Sequence, residues 1–169
     1  PSIVQILNFV QHPDPKTGAP VGYIVMEYIG GKSLKEIRGE YRENGQAAPL
    51  PVAQAIAYAV EILPAFGCLH GLNLVYNDFK PDNIIQSDEQ LKLIDMGGVI
   101  HMDDLDSAIY GTKGFQAPEI ADDGPSVESD LYTVGRTLAV LTTLDTRAYP
   151  TTYLHKLPTP EEVPLFARH

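Results

Sequence analysis

Cysteine is nearly absent from this sequence. A single thiol, Cys68, can form neither an intrachain disulfide nor the paired ligands of a zinc knuckle. Its place on an apolar helical stretch predicts a small buried side chain. Uninterrupted apolar runs of 18 residues or more are missing, as is a charged-then-apolar leader, so no segment is expected to span or target a membrane. Positive charge is scarce. The 12 Lys and Arg stand against 22 Asp and Glu, and a net charge of −10 argues against a nucleic-acid backbone or an anionic membrane as partner. No second histidine sits at ligand spacing from His70, which at the end of a predicted helix reads as a partner for terminal carbonyls and the helix dipole, not a metal ligand. Internal repeats and low-complexity tracts are lacking. So is an initiator methionine: the sequence opens at Pro1 inside an apolar, strand-like run, which suggests a fragment of a larger domain.

What is present suffices for one well-buried domain, with 44% hydrophobic residues in a chain of 169. Residues 3–10 and 21–29 read as two strands joined by a loop too long for a tight hairpin. The second strand breaks at Gly30-Gly31, where the chain can turn sharply and offer its backbone to a planar ligand, and a short helix follows. Residues 38–50 are polar and punctuated by Gly and Pro, hence a surface connection. A long helix is predicted over 52–70, with Val52, Ile56, Val60, Leu63 and Phe66 at spacings of 4, 4, 3 and 3 marking its core face. Pro51 suits its first turn, Pro64 predicts a kink, and Gly71 ends it. Residues 84–86 and 91–94 form a hairpin around Ser87-Asp88-Glu89. Residues 96–114 are Gly-rich and acidic, a loop long enough to be functional. Leu131, Val134, Leu138 and Leu141 mark a second buried helix, and beyond Asp145 the tail is Pro-rich.

Two stretches carry chemistry. Val-Tyr-Asn-Asp-Phe-Lys-Pro-Asp-Asn-Ile-Ile at 75–85 and Leu-Ile-Asp-Met-Gly at 93–97 put Asp78, Lys80, Asn83 and Asp95 on two short loops framing the hairpin. A carboxylate for a hydroxyl proton, a cation for a phosphate and two oxygen ligands for magnesium are the equipment of phosphoryl transfer. Taken singly the motifs are weak: Asp78 fits a turn former, Asp95 a strand terminator, and Ala117-Pro118-Glu119 a chance tripeptide. Order and spacing change this. Asn83 follows Asp78 by five, Lys80 follows it by two, and Asp95-Met96-Gly97 comes twelve after Asn83. Glu119 lies 24 beyond Asp95, after Gly111-Thr112-Lys113-Gly114-Phe115-Gln116, and Asp130 precedes Gly135 by five.

In this register the sequence resembles the catalytic domain of eukaryotic-type serine/threonine protein kinases. Residues 23–28 (Tyr-Ile-Val-Met-Glu-Tyr), 74–78 (Leu-Val-Tyr-Asn-Asp), 114–120 and 130–136 are most similar to the actinobacterial protein kinase G family. The likeness covers residues 1–145 well and the tail loosely. It implies an α+β, protein-kinase-like fold, with residues 1–29 as the end of the N-lobe and the hinge and 30–169 as a truncated helical C-lobe. It also implies ATP and Mg²⁺ as cofactors, with Mn²⁺ as a substitute, and a protein substrate. By the same resemblance Asp78 accepts the substrate proton and Lys80 steadies the γ-phosphate. Asn83 and Asp95 hold the metal, and Thr112 ties the substrate platform to the catalytic loop. The backbone of Glu27 and Ile29 meets adenine, Met26 guards the back of the pocket, Ile85 packs under the ring, and Ile94 lines its rear. Members of that family are cytoplasmic, with export to a host compartment a further option. They carry rubredoxin-like and tetratricopeptide domains beside the kinase and phosphorylate forkhead-associated regulators.

The sequence departs from the kinase pattern in two ways. Tyr76-Asn77-Asp78 stands where most kinases have His-Arg-Asp, so no guanidinium waits beside the base for an activation-loop phosphate. That loop is already acidic, with Asp103, Asp104 and Asp106, and activity independent of phosphorylation at Ser107, Tyr110 or Thr112 is the expectation. The Gly-rich loop, the strand lysine and its glutamate partner are expected before residue 1, and the C-terminal helices after His169, so these 169 residues alone are expected to transfer phosphate poorly. A catalytically silent kinase-like binding or scaffold module, or a truncated relic, is one alternative; the silent module is disfavoured because Asp78, Lys80, Asn83 and Asp95 are all intact. A small-molecule kinase of the aminoglycoside phosphotransferase type is another, disfavoured because it lacks the Gly-Thr…Ala-Pro-Glu platform.

Overall fold

A computed structural model of the chain describes residues 2–88, 90–104 and 111–143. The expectations placed on Glu89, Asp106, Ser107, Tyr110 and the tail beyond Asp145 fall outside these residues.

The first element is an antiparallel ribbon of β1 (Ile6–Pro13) and β2 (Pro20–Met26), registered from Ile6 opposite Met26 to Pro13 opposite Pro20 with a bulge near Ile6. Its loop is held by Asp14, whose Oδ1 accepts the N–H groups of Lys16 and Thr17 at 2.8 and 2.7 Å. Ile6, Leu7, Phe9 and Ile24 remain exposed, so the ribbon contributes little to the core. It is fastened at its base. Val4 N–H donates to Leu93 O at 2.9 Å, Glu27 N–H to Gln5 O at 2.9 Å, and the Lys92 ammonium pairs with Glu27 at 2.6 Å.

The body of the molecule is an α+β layer. A sheet of β3 (Lys32–Ser33), β7 (Ile84–Ser87) and β8 (Gln90–Leu93) lies against α1 (Leu34–Glu40) and α2 (Val52–Gly71), and α4 (Val127–Leu141) packs on these two helices. The short α1 forms because Ser33 and Glu36 make a reciprocal capping box. Gly31 just before it has φ +141°, and a Cβ there would come within 2.1 Å of Gln86 O. Only glycine lets the chain cross β7 so closely. Residues 38–50, expected to be a plain connection, are more ordered than that. Here β4 (Arg42–Glu43) and β5 (Gln46–Ala47) make a hairpin whose Asn44-Gly45 turn has φ of 51° and 80°, as a type I′ turn requires. Ala48 and Leu50 then bury themselves, with Leu50 N–H donating to Leu141 O at 3.0 Å.

The predicted core face of α2 is corrected. Of its five marker residues only Phe66 is buried; Val52, Ile56 and Val60 are 62, 53 and 65% exposed, and Leu63 also faces outward. The buried stripe is Ala55, Tyr58, Ala59, Ile62, Ala65, Phe66 and Leu69. This helix is apolar almost all round, so spacings of three and four fit more than one stripe. The winning stripe has small alanines for close backbone approach and polar atoms with partners inside the fold. Tyr58 donates to Gln86 at 2.9 Å, and Glu61 accepts Leu91 N–H at 2.6 Å. Cys68 falls on the outer face and is exposed, not buried as expected. By length and composition α2 could cross a membrane, a property missed when only unbroken apolar runs are counted. Its polar bonds to β7 and β8 make it the central helix of this core. Pro64 lies inside the helix without ending it.

After the one-turn α3 (Ile120–Asp123), a capping box between Ser126 and Ser129 starts α4. Leu131, expected in the core, is 48% exposed, while Asp130, Thr133, Arg136 and Thr137 are buried. Hydrogen bonding chooses this face, as when Thr137 Oγ1 donates to Phe79 O at 3.1 Å. Phe66, Tyr76 and Phe79 pack edge-to-face at centroid distances of 5.2–6.4 Å and fix the floor beneath residues 76–79.

Candidate active site

The site is built on Asp130. Its side chain is wholly buried, and its Oδ2 accepts Tyr76 N–H at 2.8 Å and His70 Nε2 at 2.9 Å, while Oδ1 accepts Asn77 N–H at 2.8 Å. One carboxylate of α4 therefore holds the backbone that leads into Asp78. His70 is the correction here: its side chain bridges from the end of α2 to Asp130 instead of capping its own helix. A second tie comes from β6 (Leu74–Val75), which pairs antiparallel with β9 (Ile100–His101) and so joins the two functional loops.

Asn77 is buried with φ +63°, a left-handed conformation that Asn tolerates better than most residues. Its Nδ2 donates to Gly98 O at 3.0 Å. Gly98 sits so close that a Cβ would lie 3.0 Å from Tyr76 O. Asn77 does more than remove an arginine, because it pins the segment after Asp95 to the catalytic loop. The Tyr76 hydroxyl is buried beside the Asp95 main chain, short of hydrogen-bond geometry. Burial above all, then the carboxylates of Asp95, Asp78 and Asp130, pushes its pKa upward, so it stays a neutral phenol.

Asp78 is the most densely bonded side chain of the site. Oδ1 accepts the N–H and the hydroxyl of Thr112 at 2.9 and 2.6 Å; Oδ2 accepts Lys80 Nζ at 2.7 Å and Asn83 Nδ2 at 3.1 Å. Lys80 also donates to Thr112 Oγ1 at 2.6 Å, closing a triangle. Burial on its own would raise the carboxyl pKa. The hydrogen bonds from Lys80 and Thr112, the Lys80 charge and Asn83 outweigh it and hold the group below the usual carboxylate range. Asp78 is thus an ionised acceptor at neutral pH.

Asn83 closes the 3₁₀ turn Pro81–Asn83 and donates Nδ2 to Asp78 O at 2.9 Å. Its amide nitrogen is spent on the loop, which leaves the carbonyl oxygen as the atom to offer a cation. Asp95 is exposed, with Oδ1 accepting Gly97 N–H at 2.8 Å. The adjoining Ile94 N–H donates to Asn83 O at 3.1 Å, so the two oxygen donors sit on neighbouring strand ends. No cluster of three His, Cys, Asp or Glu able to hold a metal by itself occurs among the described residues. Two hard oxygen donors fit a magnesium ion completed by water and substrate phosphates.

Just past β2, the Glu27 N–H is committed to Gln5 and its carboxylate to Gln5 N–H and Lys92, so its carbonyl is the atom left for a ligand. Ile29 N–H has no protein partner among the described residues. Gly31 crosses Ile85, whose Cγ2 would be 3.1 Å from an added Cβ, which brings the chain after β2 over Ile85. Ile85 and Ile94 are half-buried, and Met26 ends β2 partly exposed. Sequence reasoning did not find the His70–Asp130 contact, the Glu27–Lys92 pair or Gly98. Only Gly98 left a signal, as a second glycine after Asp95.

Comparisons with known proteins identify the family. The protein kinase domain profile matches residues 1–156. Serine/threonine-protein kinase PknG of Mycobacterium leprae is 56% identical over 163 residues, covering 96% of this chain and 20% of the relative. Serine/threonine-protein kinase PknG of Mycolicibacterium smegmatis is 55% identical with the same coverage. Serine/threonine-protein kinase B of a Synechocystis species is 33% identical over 135 residues, 72% of this chain and 22% of that protein. The chain spans about a fifth of the length of these relatives. With a profile match over nearly its whole length and the catalytic-loop geometry above, the chain belongs to the protein kinase domain family.

Proposed function

We propose that this chain supplies the catalytic-loop and metal-loop half of a serine/threonine protein kinase that moves the ATP γ-phosphate to a protein hydroxyl. One observation carries the proposal: Lys80, Asn83 and Thr112 converge through bonds of 2.6–3.1 Å on the Asp78 carboxylate, which they hold ionised. Asp78 orients the acceptor hydroxyl and takes its proton. Lys80, already 2.7 Å from Asp78, holds its charge where the transferring phosphoryl group passes. Thr112 locks both groups to the segment that receives the substrate. Magnesium, or manganese in its place, supplies neutralisation of the phosphate oxygens when bound through Asn83 and Asp95. Glu27 and Ile29 offer backbone atoms to adenine, with Met26, Ile85 and Ile94 as apolar walls. Residues 1–29 then form the end of an N-lobe and the hinge, and 30–169 a C-lobe, in a longer cytoplasmic polypeptide. The similarity to protein kinase G suggests a forkhead-associated regulator as substrate and rubredoxin-like and tetratricopeptide domains as neighbours.

The test is ATP titration of the full-length polypeptide carrying this chain, with and without Mg²⁺, together with label transfer from γ-labelled ATP to a Ser/Thr protein. Metal-dependent binding with transfer supports the proposal. Binding without any transfer makes the chain part of a silent scaffold.

A further inference from the structure

The chain is strongly acidic, yet one cleft runs against its charge. A cavity of about 410 Å³ opens between α1, the turn at Pro81–Asn83, the segment after Thr112 and α4. Four of the chain's 12 Lys and Arg line it, Lys35, Arg38, Lys113 and Arg136, against one carboxylate among the described residues, Asp82. Asp82 is answered by Lys35 at 2.5 Å. Arg38 reaches the carbonyls at the end of α4, donating to Val140 O at 2.7 Å. Lys113 is exposed and has no carboxylate at ion-pair distance among the described residues. Arg136 is only 7% exposed, and its Nε donates to Gly114 O at 2.7 Å with no carboxylate beside it among the described residues. A buried guanidinium facing a cleft without a counter-ion favours an anion there.

The cleft's position says which anion. Asp82 is two residues past Lys80, and Lys113 directly follows Thr112, so the cleft begins beside the groups that hold Asp78. An extended peptide advances roughly 3.3 Å per residue, so residues within about four positions of an acceptor hydroxyl at Asp78 lie over the cleft. We infer that this cleft selects protein segments with Asp or Glu within about four residues of the phosphorylated Ser or Thr. The inference rests on the kinase reading above and adds the substrate class.

The test uses the full-length polypeptide carrying this chain and four peptides with one threonine and identical length, flanked by Glu, by Gln, by Lys or by phosphoserine. The Glu peptide is expected to exceed the Gln peptide in kcat/KM by about tenfold, from two or three contacts of roughly threefold each, with the gap shrinking as salt is raised. Lys113→Glu and Lys35→Glu change exposed side chains that the fold does not need, and each is expected to cut the Glu-to-Gln ratio at least threefold. Equal rates for Glu and Gln, preference for Lys, or preference for phosphoserine alone overturns the inference while leaving the kinase reading intact. Absence of transfer to every peptide and protein overturns both.

Discussion

Replacing Asp130 tests the idea that one buried carboxylate carries the catalytic loop. It accepts Tyr76 N–H and Asn77 N–H at 2.8 Å each and His70 at 2.9 Å, with no exposed surface of its own. In Asp130→Ala the two backbone N–H groups lose their acceptor inside the core. Each buried unpaired donor costs about 1–3 kcal/mol, so the variant should lose about 2–6 kcal/mol, a large share of an ordinary folding free energy. Asp130→Asn keeps the volume and one acceptor oxygen but turns an N–H₂ towards a donor, for a loss of about 1–3 kcal/mol. Denaturant titration reads the stability. Hydrogen exchange at residues 76 and 77 reads the local cause, and protection there should fall further than in α2. An Asp130→Asn protein with unchanged melting, unchanged exchange at residues 76 and 77 and unchanged turnover would refute the anchoring role.

Other outcomes follow from the same geometry. Thr112→Val removes the hydroxyl between Asp78 and Lys80, a charge-assisted link worth about 1.5–3 kcal/mol, and should lower kcat about 10- to 150-fold with little change in the KM for ATP, whereas Thr112→Ser should stay near the parent. Because the Asp78 pKa is lowered in the folded state, its contribution to stability is present above the unfolded value near 3.9 and is lost as pH falls through the lower folded value, so the acid limb of the kcat profile that belongs to Asp78 should lie below about pH 4. Thr112→Val should move that limb upward. Asn77→Gly keeps the left-handed backbone and deletes the bond to Gly98, so turnover should fall while melting changes little; the unaltered protein should keep its turnover after phosphatase treatment, and loss of activity in Ser107→Ala with rescue by an acidic residue would contradict this. Gly31→Ala places a Cβ 2.1 Å from Gln86 O at φ +141° and should destabilise by at least about 1–3 kcal/mol in denaturant titration.

The grouping of Asp78, Lys80 and Asn83 was legible in the sequence because phosphoryl-transfer chemistry depends on residue type at fixed spacing. Asp78, Lys80, Asn83 and Asp95 sit on loops whose lengths are set by the hairpin between them, so order along the chain translates directly into proximity. The Thr112 contact, 34 residues from Asp78, came from family resemblance and not from spacing. The faces of α2 and α4 were not legible. In α2, apolar residues on nearly every side left periodicity without a preferred stripe, and alanine packing with two polar bonds decided it. In α4 the buried side is partly polar, since Asp130 and Thr137 face the catalytic loop, and a search for apolar spacing therefore selected Leu131 wrongly. The hairpin at residues 42–47 was announced by Asn44-Gly45 but masked by surrounding polar residues. Pairs such as His70 with Asp130 and Glu27 with Lys92 join residues 60 and 65 apart, and nothing local encodes them.

The most direct measurement is single-turnover transfer of the γ-phosphate from ATP to a Ser/Thr protein by the full-length polypeptide, compared with its Asp78→Asn variant. Loss of the proton acceptor should slow the chemical step about 10²–10⁴-fold while ATP binding in the presence of Mg²⁺ stays unchanged. An Asp78→Asn protein that transfers phosphate at the parent rate would contradict the assignment of Asp78, and with it the account of the triangle formed with Lys80 and Thr112.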